Sequence, residues 1–213
     1  YHLENYSNWS DLISNNTVTD EEKEIFIIMS PNEGKLDAVQ SYDSEIITAG
    51  AMQKTVNPQG KGEFPIQVQE FKNTFPDKYK ELFEDCGWTV EEVNGEYIMY
   101  YKDPTNSSAT KITGSILKAK VRKGFTSNTY RQKLVCKPLE PIVNALLDND
   151  FQKKQIEDFV DRLKNKALAI IPSGYSYKIK DYVKSKLGKA TVLDHHINRP
   201  GYVKNDFRDT LNN

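Results

Sequence analysis

The sequence predicts a mainly helical α+β fold with a small β-region, and three observations carry that prediction. Apolar residues recur at helical spacing in several segments, most clearly at Ile156, Phe159, Val160 and Leu163. Residues 39–48 alternate and include the β-formers Val39, Tyr42, Ile46, Ile47 and Thr48. Asn94-Gly95 sits between strand-like flanks over residues 90–102, and that dipeptide favours a tight hairpin turn because both residues tolerate positive φ.

The elements follow in order. Residues 1–18 are rich in Asn and Ser, with Trp9, Leu12 and Ile13 as anchors, and read as a short helix or a linker. Thr19 and Glu22 have the spacing of a capping box, so a helix starts there with Ile25, Phe26, Ile28 and Met29 on its apolar face. Pro31 stops it, because proline lacks the N–H that regular helix needs. Residues 55–63, with Asn57-Pro58 and Gly60-Lys61-Gly62, read as loop. Two helices follow: residues 64–75, with Ile66, Val68 and Phe71 inward, and one opened by Pro76, with Tyr79, Leu82 and Phe83 inward, ended by Gly87. Residues 103–109 read as loop, and 112–121 as strand or helix. Helices are then expected at 139–147, at 151–171, at 175–187 closed by Gly188, at 190–197 and at 202–211, the last two split by Pro200-Gly201.

A chain of 213 residues can bury a substantial core as one large domain or as two lobes sharing a cleft, and a single compact unit is expected. With 38% hydrophobic and 28% charged residues the composition is polar for a globular protein, but 12 Tyr and 9 Phe make it too aromatic for disorder. Its 29 basic and 30 acidic residues leave a net charge of −1, which gives no overall attraction to nucleic acid or to anionic membranes. Cys86 and Cys136 are too few for a dense disulfide framework and read as two free thiols, with a single bridge between them as the alternative. No apolar run approaches the ~20 residues that span a bilayer. The start lacks a secretory profile, and opening on Tyr1 fits a processed product or a piece of something larger.

Chemistry concentrates in Asn32-Glu33-Gly34-Lys35-Leu36-Asp37-Ala38, then Tyr42-Asp43, then Thr48-Ala49-Gly50-Ala51-Met52-Gln53. One carboxylate follows an apolar helix, a second comes about ten residues later, and a small-residue turn lies beyond. Cutting a glycosidic bond needs an acid for the leaving oxygen and a second carboxylate to direct water or steady the sugar's positive charge, and Glu33 and Asp43 are the natural pair. Glu33 suits the acid if Ile28, Met29 and Leu36 give it poorly solvated surroundings. Thr48 suits the holding of a nucleophilic water, Gln53 the bonding of substrate N-acetyl or hydroxyl groups, and Tyr42 the face of a sugar ring. Asp37 is the reserve carboxylate, and a turn role competes for it and for Asp43. Adjacent His195 and His196 point about 100° apart on a helix and make a poor metal pair, so no metal or cofactor is expected, and Arg199 is read as bonding a carboxylate or a helix end. Lys118, Lys120, Arg122 and Lys123 form a basic cluster, by default a solvated face and otherwise a surface for an anionic glycan.

These residues resemble the lysozyme-like superfamily: phage-type lysozymes, bacterial cell-wall muramidases and, more distantly, chitosanases. In that family a catalytic Glu ends a first helix, a Gly follows, an Asp sits in a small sheet, and a Thr or Gly turn closes the unit. Glu33, Gly34, Asp43 and Thr48-Ala49-Gly50 are the matching positions, and residues 193–200 look like a later segment that packs near the cleft. The sequence departs from the family where Ser44-Glu45-Ile46-Ile47 replaces a glycine-rich turn. The resemblance implies a lysozyme-like catalytic domain over residues 19–213, with its β-region beside Glu33, cleaving β-1,4 linkages of peptidoglycan. Its alternatives are a chitosanase or chitinase-like hydrolase and a non-catalytic glycan-binding module on the same scaffold. It implies a polysaccharide partner and no nucleic acid. It also implies a secreted, periplasmic or phage-associated setting, with room for a place in a phage or secretion assembly.

Overall fold

A computed structural model describes residues 2–41, 43–122 and 138–213. Its described residues form a mainly helical α+β fold of ten helices and two small antiparallel sheets. The chain divides into two compact units, Tyr1–Lys35 with Gln155–Asn213, and Leu36–Lys154.

In the first unit, a 3-10 turn at Leu3–Asn5 precedes α1 (Trp9–Ser14). Leu3, Tyr6, Trp9, Leu12 and Val18 are buried, so the opening residues take the short-helix alternative and pack in the core. Helix α2 (Asp20–Met29) begins with the expected capping box: Glu22 N–H donates to Thr19 Oγ1 (3.2 Å), and Thr19 N–H donates to Glu22 Oε2 (2.8 Å). Ile25, Phe26 and Met29 face the core, but Ile28 is 41% exposed, one position off the apolar stripe. After α2 the chain tightens into a 3-10 turn at Ser30–Asn32, which accommodates Pro31 in its first turn.

The same unit continues in α7 (Asn149–Asp161), a wider helical segment Arg162–Ala167, α8 (Ile179–Tyr182), α9 (Lys186–Asn198) and α10 (Val203–Asn212). The division from the second unit falls inside α7, after Lys154. Phe26 packs on Phe159 with ring centroids 5.4 Å apart. Helices α2 and α9 pack together, and at their exposed margin Glu24 pairs with Lys186 and Glu21 with Lys189. Hydrogen bonding to Lys189 holds the Glu21 carboxyl below the usual carboxylate range. The long helix expected over 175–187 is not formed. Ser185 instead caps α9, accepting Gly188 N–H at 3.0 Å, so Gly188 lies inside a helix rather than ending one. Glycine is used there for closeness, since a Cβ would stand 2.7 Å from Val183 Cγ1.

The second unit holds both sheets. Strands β1 (Val39–Gln40), β2 (Ile47–Ala49) and β3 (Lys54–Val56) form an antiparallel meander, with Thr48 opposite Gln40 and Thr55. Strand β3 occupies residues read as the start of a loop. Helix α3 (Glu63–Thr74) buries Phe64, Val68 and Phe71 but leaves Ile66 44% exposed. Helix α4 (Pro76–Tyr79) runs into a wider turn, Lys80–Glu84, which Gly87 follows at φ +95°. Strands β4 (Trp88–Val93) and β5 (Glu96–Tyr101) form the hairpin, with Asn94 at φ +54° and Gly95 at φ +78°. Helix α5 (Gly114–Arg122) settles the strand-or-helix ambiguity, and α6 (Leu139–Leu147) follows.

Aromatic packing centres this unit. Phe71, Phe83 and Phe151 meet with centroids 5.0–6.3 Å apart, each ring fully buried and contributing about 1.5–3 kcal/mol. Trp88 Nε1 donates to Pro138 O at 2.7 Å, and Val90 N–H donates to the buried Tyr79 hydroxyl at 3.1 Å, so neither buried polar group is left unsatisfied.

The two hairpin glycines separate two costs. A Cβ at Gly87 would stand 2.2 Å from Lys102 O, whereas one at Gly95 meets nothing within 4 Å, although both positions have positive φ. Gly95→Ala is expected to cost about 1 kcal/mol, and Gly87→Ala about 3 kcal/mol or more, in urea denaturation. Equal shifts would show that the steric contact is relieved without cost.

Candidate functional site

The loop between β1 and β2 carries Asp43, and its geometry follows from which polar groups it must satisfy. Asp43 Oδ1 accepts Glu45 N–H at 3.0 Å, the two-residue bond that makes aspartate a turn residue. Its other oxygen, Oδ2, accepts the Thr48 hydroxyl at 3.0 Å, from the middle of β2. Asp43 is thus a half-buried turn carboxylate whose second oxygen also meets a strand hydroxyl. Thr48 is 6% exposed, which fixes its hydroxyl and so the plane of the acid.

Helix α5 holds the backbone of this loop. Arg122 Nε donates to Ser41 O (3.3 Å), its guanidinium also donates to Asp43 O, and Lys118 Nζ donates to Ser44 O. The basic cluster is thus split by the helical period: Lys118 and Arg122, four apart, grip the loop, while Lys120 lies 3.9 Å from Asp103 and over the Tyr101 ring at 5.1 Å. Lys123 and Tyr42 lie outside the described residues. Ser41 is fully buried, and its hydroxyl has no hydrogen-bond partner among the described residues.

The turn beyond Thr48 forms as expected, with Gln53 N–H donating to Gly50 O (3.1 Å) and Gly50 N–H to Ala38 O (2.8 Å). Gln53 has φ +50°, so it serves the turn itself. Asp37 is partly buried in the segment before β1.

Glu33 belongs to the first unit, at the end of the 3-10 turn after α2. Its backbone is extended and its side chain part-exposed, with Oε1 accepting Asn198 Nδ2 at 2.9 Å. Asn198 ends α9 and also donates to Asp194 O (3.0 Å), so the amide that orients Glu33 is itself anchored. Of the apolar residues expected around Glu33, Met29 and Leu36 are buried and Ile28 is 41% exposed. Asn198 lies in the 193–200 segment expected near the cleft, but the sequence assigns it no role of its own, because an asparagine at a helix end carries no signal for a partner 165 positions away.

His195 Nε2 lies 3.0 Å from Asp206 Oδ2, and Arg199 closes α9 through its backbone N–H, which donates to His195 O at 2.7 Å. Among the described residues no group of three or more His, Cys, Asp or Glu is placed to hold a metal ion, and no helix is long and apolar enough to cross a membrane.

A cleft of about 300 Å³ in the second unit is lined by Asp85, Cys86, Tyr101, Asp103, Glu140 and neighbours, none of them sequence-predicted site residues. Cys86 is a free thiol, and burial, helped by the Asp85 and Glu140 carboxylates, pushes it up. A thiol held in its protonated form is a poor nucleophile, so this cleft lacks an activated cysteine. Cys136 lies outside the described residues. In a Cys136→Ser variant, alkylation of Cys86 by iodoacetamide is expected to rise only above the ordinary thiol pKa of about 8.5. A rate already at plateau at pH 7 would contradict the raised value.

Comparison with family models, with curated proteins and with solved structures finds no match to this chain.

Proposed function

We propose that this chain is a glycoside hydrolase that cleaves β-1,4 linkages of peptidoglycan, with Glu33 as general acid and Asp43 as the second carboxylate. The observation that carries the reading is the 3.0 Å bond from the Thr48 hydroxyl to Asp43 Oδ2, because it joins two of the three residues assigned to catalysis from sequence. A carboxylate and a hydroxyl so joined suit the holding of one water molecule. The proposed reaction is a single displacement. Water attacks the anomeric carbon and gives a proton to Asp43, the bond from that carbon to the bridging oxygen breaks, and Glu33 supplies the proton that the leaving oxygen takes up. Asn198 orients the Glu33 carboxyl through Oε1.

The chemistry is tested by release of reducing ends from purified wall polymer. Glu33→Gln and Asp43→Asn are expected to lower the rate about 10²–10⁴-fold with thermal unfolding little changed, since general acid–base assistance is of that size. Thr48→Val is expected to lower kcat and Thr48→Ser to restore most of it. No reducing ends from the wild-type chain, or wild-type turnover by Glu33→Gln, would refute the assignment.

A further inference from the structure

Residues 175–184 contain Tyr175, Tyr177 and Tyr182 interleaved with Lys178, Lys180 and Lys184 and a single acid, Asp181. The structure gathers the rings. Tyr182 meets Tyr175 edge to face at 6.0 Å and Tyr177 at 6.4 Å, and Phe207 from α10 joins it at 6.2 Å. The cluster stands on a fixed base, because Ile179 between the lysines is fully buried and the Tyr175 hydroxyl bonds Asn212 Oδ1 at 2.6 Å. Tyr177 is 65% exposed, so its ring is open to a partner.

The stretch of chain that carries it is rich in cations. Residues 162–213 hold 11 Lys and Arg against 4 Asp and no Glu, although the whole chain carries −1. Lys164, Lys166, Lys186 and Lys189 pair with Glu22, Asp161, Glu24 and Glu21, and Arg208 pairs with Asp209. Lys178, Lys180 and Lys184 are outside any ion pair among the described residues, although Lys184 Nζ donates to Lys180 O at 3.0 Å, and Asp181 accepts the Lys178 backbone N–H at 2.9 Å. An exposed ring, backed by partly exposed ones and set beside lysines outside any ion pair, suits a polymer that offers flat apolar faces and repeated negative charge.

We propose that this tyrosine–lysine face binds the carboxylate-bearing strands of the wall polymer, giving affinity that is separable from bond cleavage. This rests on the peptidoglycan reading of the function. Sugar rings supply the flat faces and the stem-peptide carboxylates supply the charge.

The test is co-sedimentation of the Glu33→Gln protein with purified sacculi stripped of phosphate polymers. Tyr177→Ala, and separately Lys178→Gln with Lys180→Gln and Lys184→Gln, are expected to weaken binding about tenfold. Amidation of the sacculus carboxylates is expected to do the same, and kcat on short soluble wall fragments in the wild-type background is expected to stay unchanged. Undiminished binding by these variants overturns the proposal. So does binding confined to unstripped sacculi, which points to phosphate, or equally tight binding of a single-stranded DNA oligonucleotide. Binding is read on a variant that need not cleave, so a failure of the hydrolase reading shows separately, as wild-type protein that sediments with sacculi and releases no reducing ends.

Discussion

Three backbone carbonyls between β1 and β2, those of Ser41, Asp43 and Ser44, are satisfied by two cations of one helix. Without Arg122 and Lys118 those carbonyls would need water, and the loop would have little reason to adopt one shape. Helix α5 is in turn fixed by Leu117 and Val121, both fully buried in the core of the second unit. Core packing therefore reaches the Asp43 carboxylate through a short chain of causes: buried leucine and valine, helix position, loop backbone, carboxylate plane. The Thr48 hydroxyl completes it from the other side of the loop.

Glu33 is held by different means. It follows α2, whose start is set by the capping box and whose flank is packed on α9, and its carboxyl is bonded by the residue that ends α9. The ion pairs of α2 with α9 are exposed and each contributes little, so the packing of Ile25, Phe26 and Met29 does most to place this end of the chain.

The features legible in the sequence are those set by local chemistry. The Thr19–Glu22 capping box, the Asn94-Gly95 turn, the stop at Pro31 and the turn after Thr48 each depend on residues within a few positions of one another. Strand β3 was hidden because Lys54–Val56 is only three residues long and abuts loop-forming Asn57-Pro58, so its pairing with β2 outweighs a weak local signal. Gly188 misled because glycine ends helices often, whereas here Ser185 starts one and Val183 comes too close for a side chain. Ile28 and Ile66 show that a helical stripe predicted from spacing can be wide by one position. The grip of Arg122 on residues 41 and 43, and of Asn198 on Glu33, spans 79 to 165 positions of sequence, and no local pattern encodes either.

The bond between Thr48 and Asp43 matters for function only if water, and not the carboxylate, attacks the sugar. The most direct measurement is proton NMR of the first product released from a β-linked wall fragment, taken before the anomers equilibrate. A water-mediated displacement yields the α-anomer first. Initial release of the β-anomer would mean a covalent glycosyl intermediate and would contradict the role given to this pair.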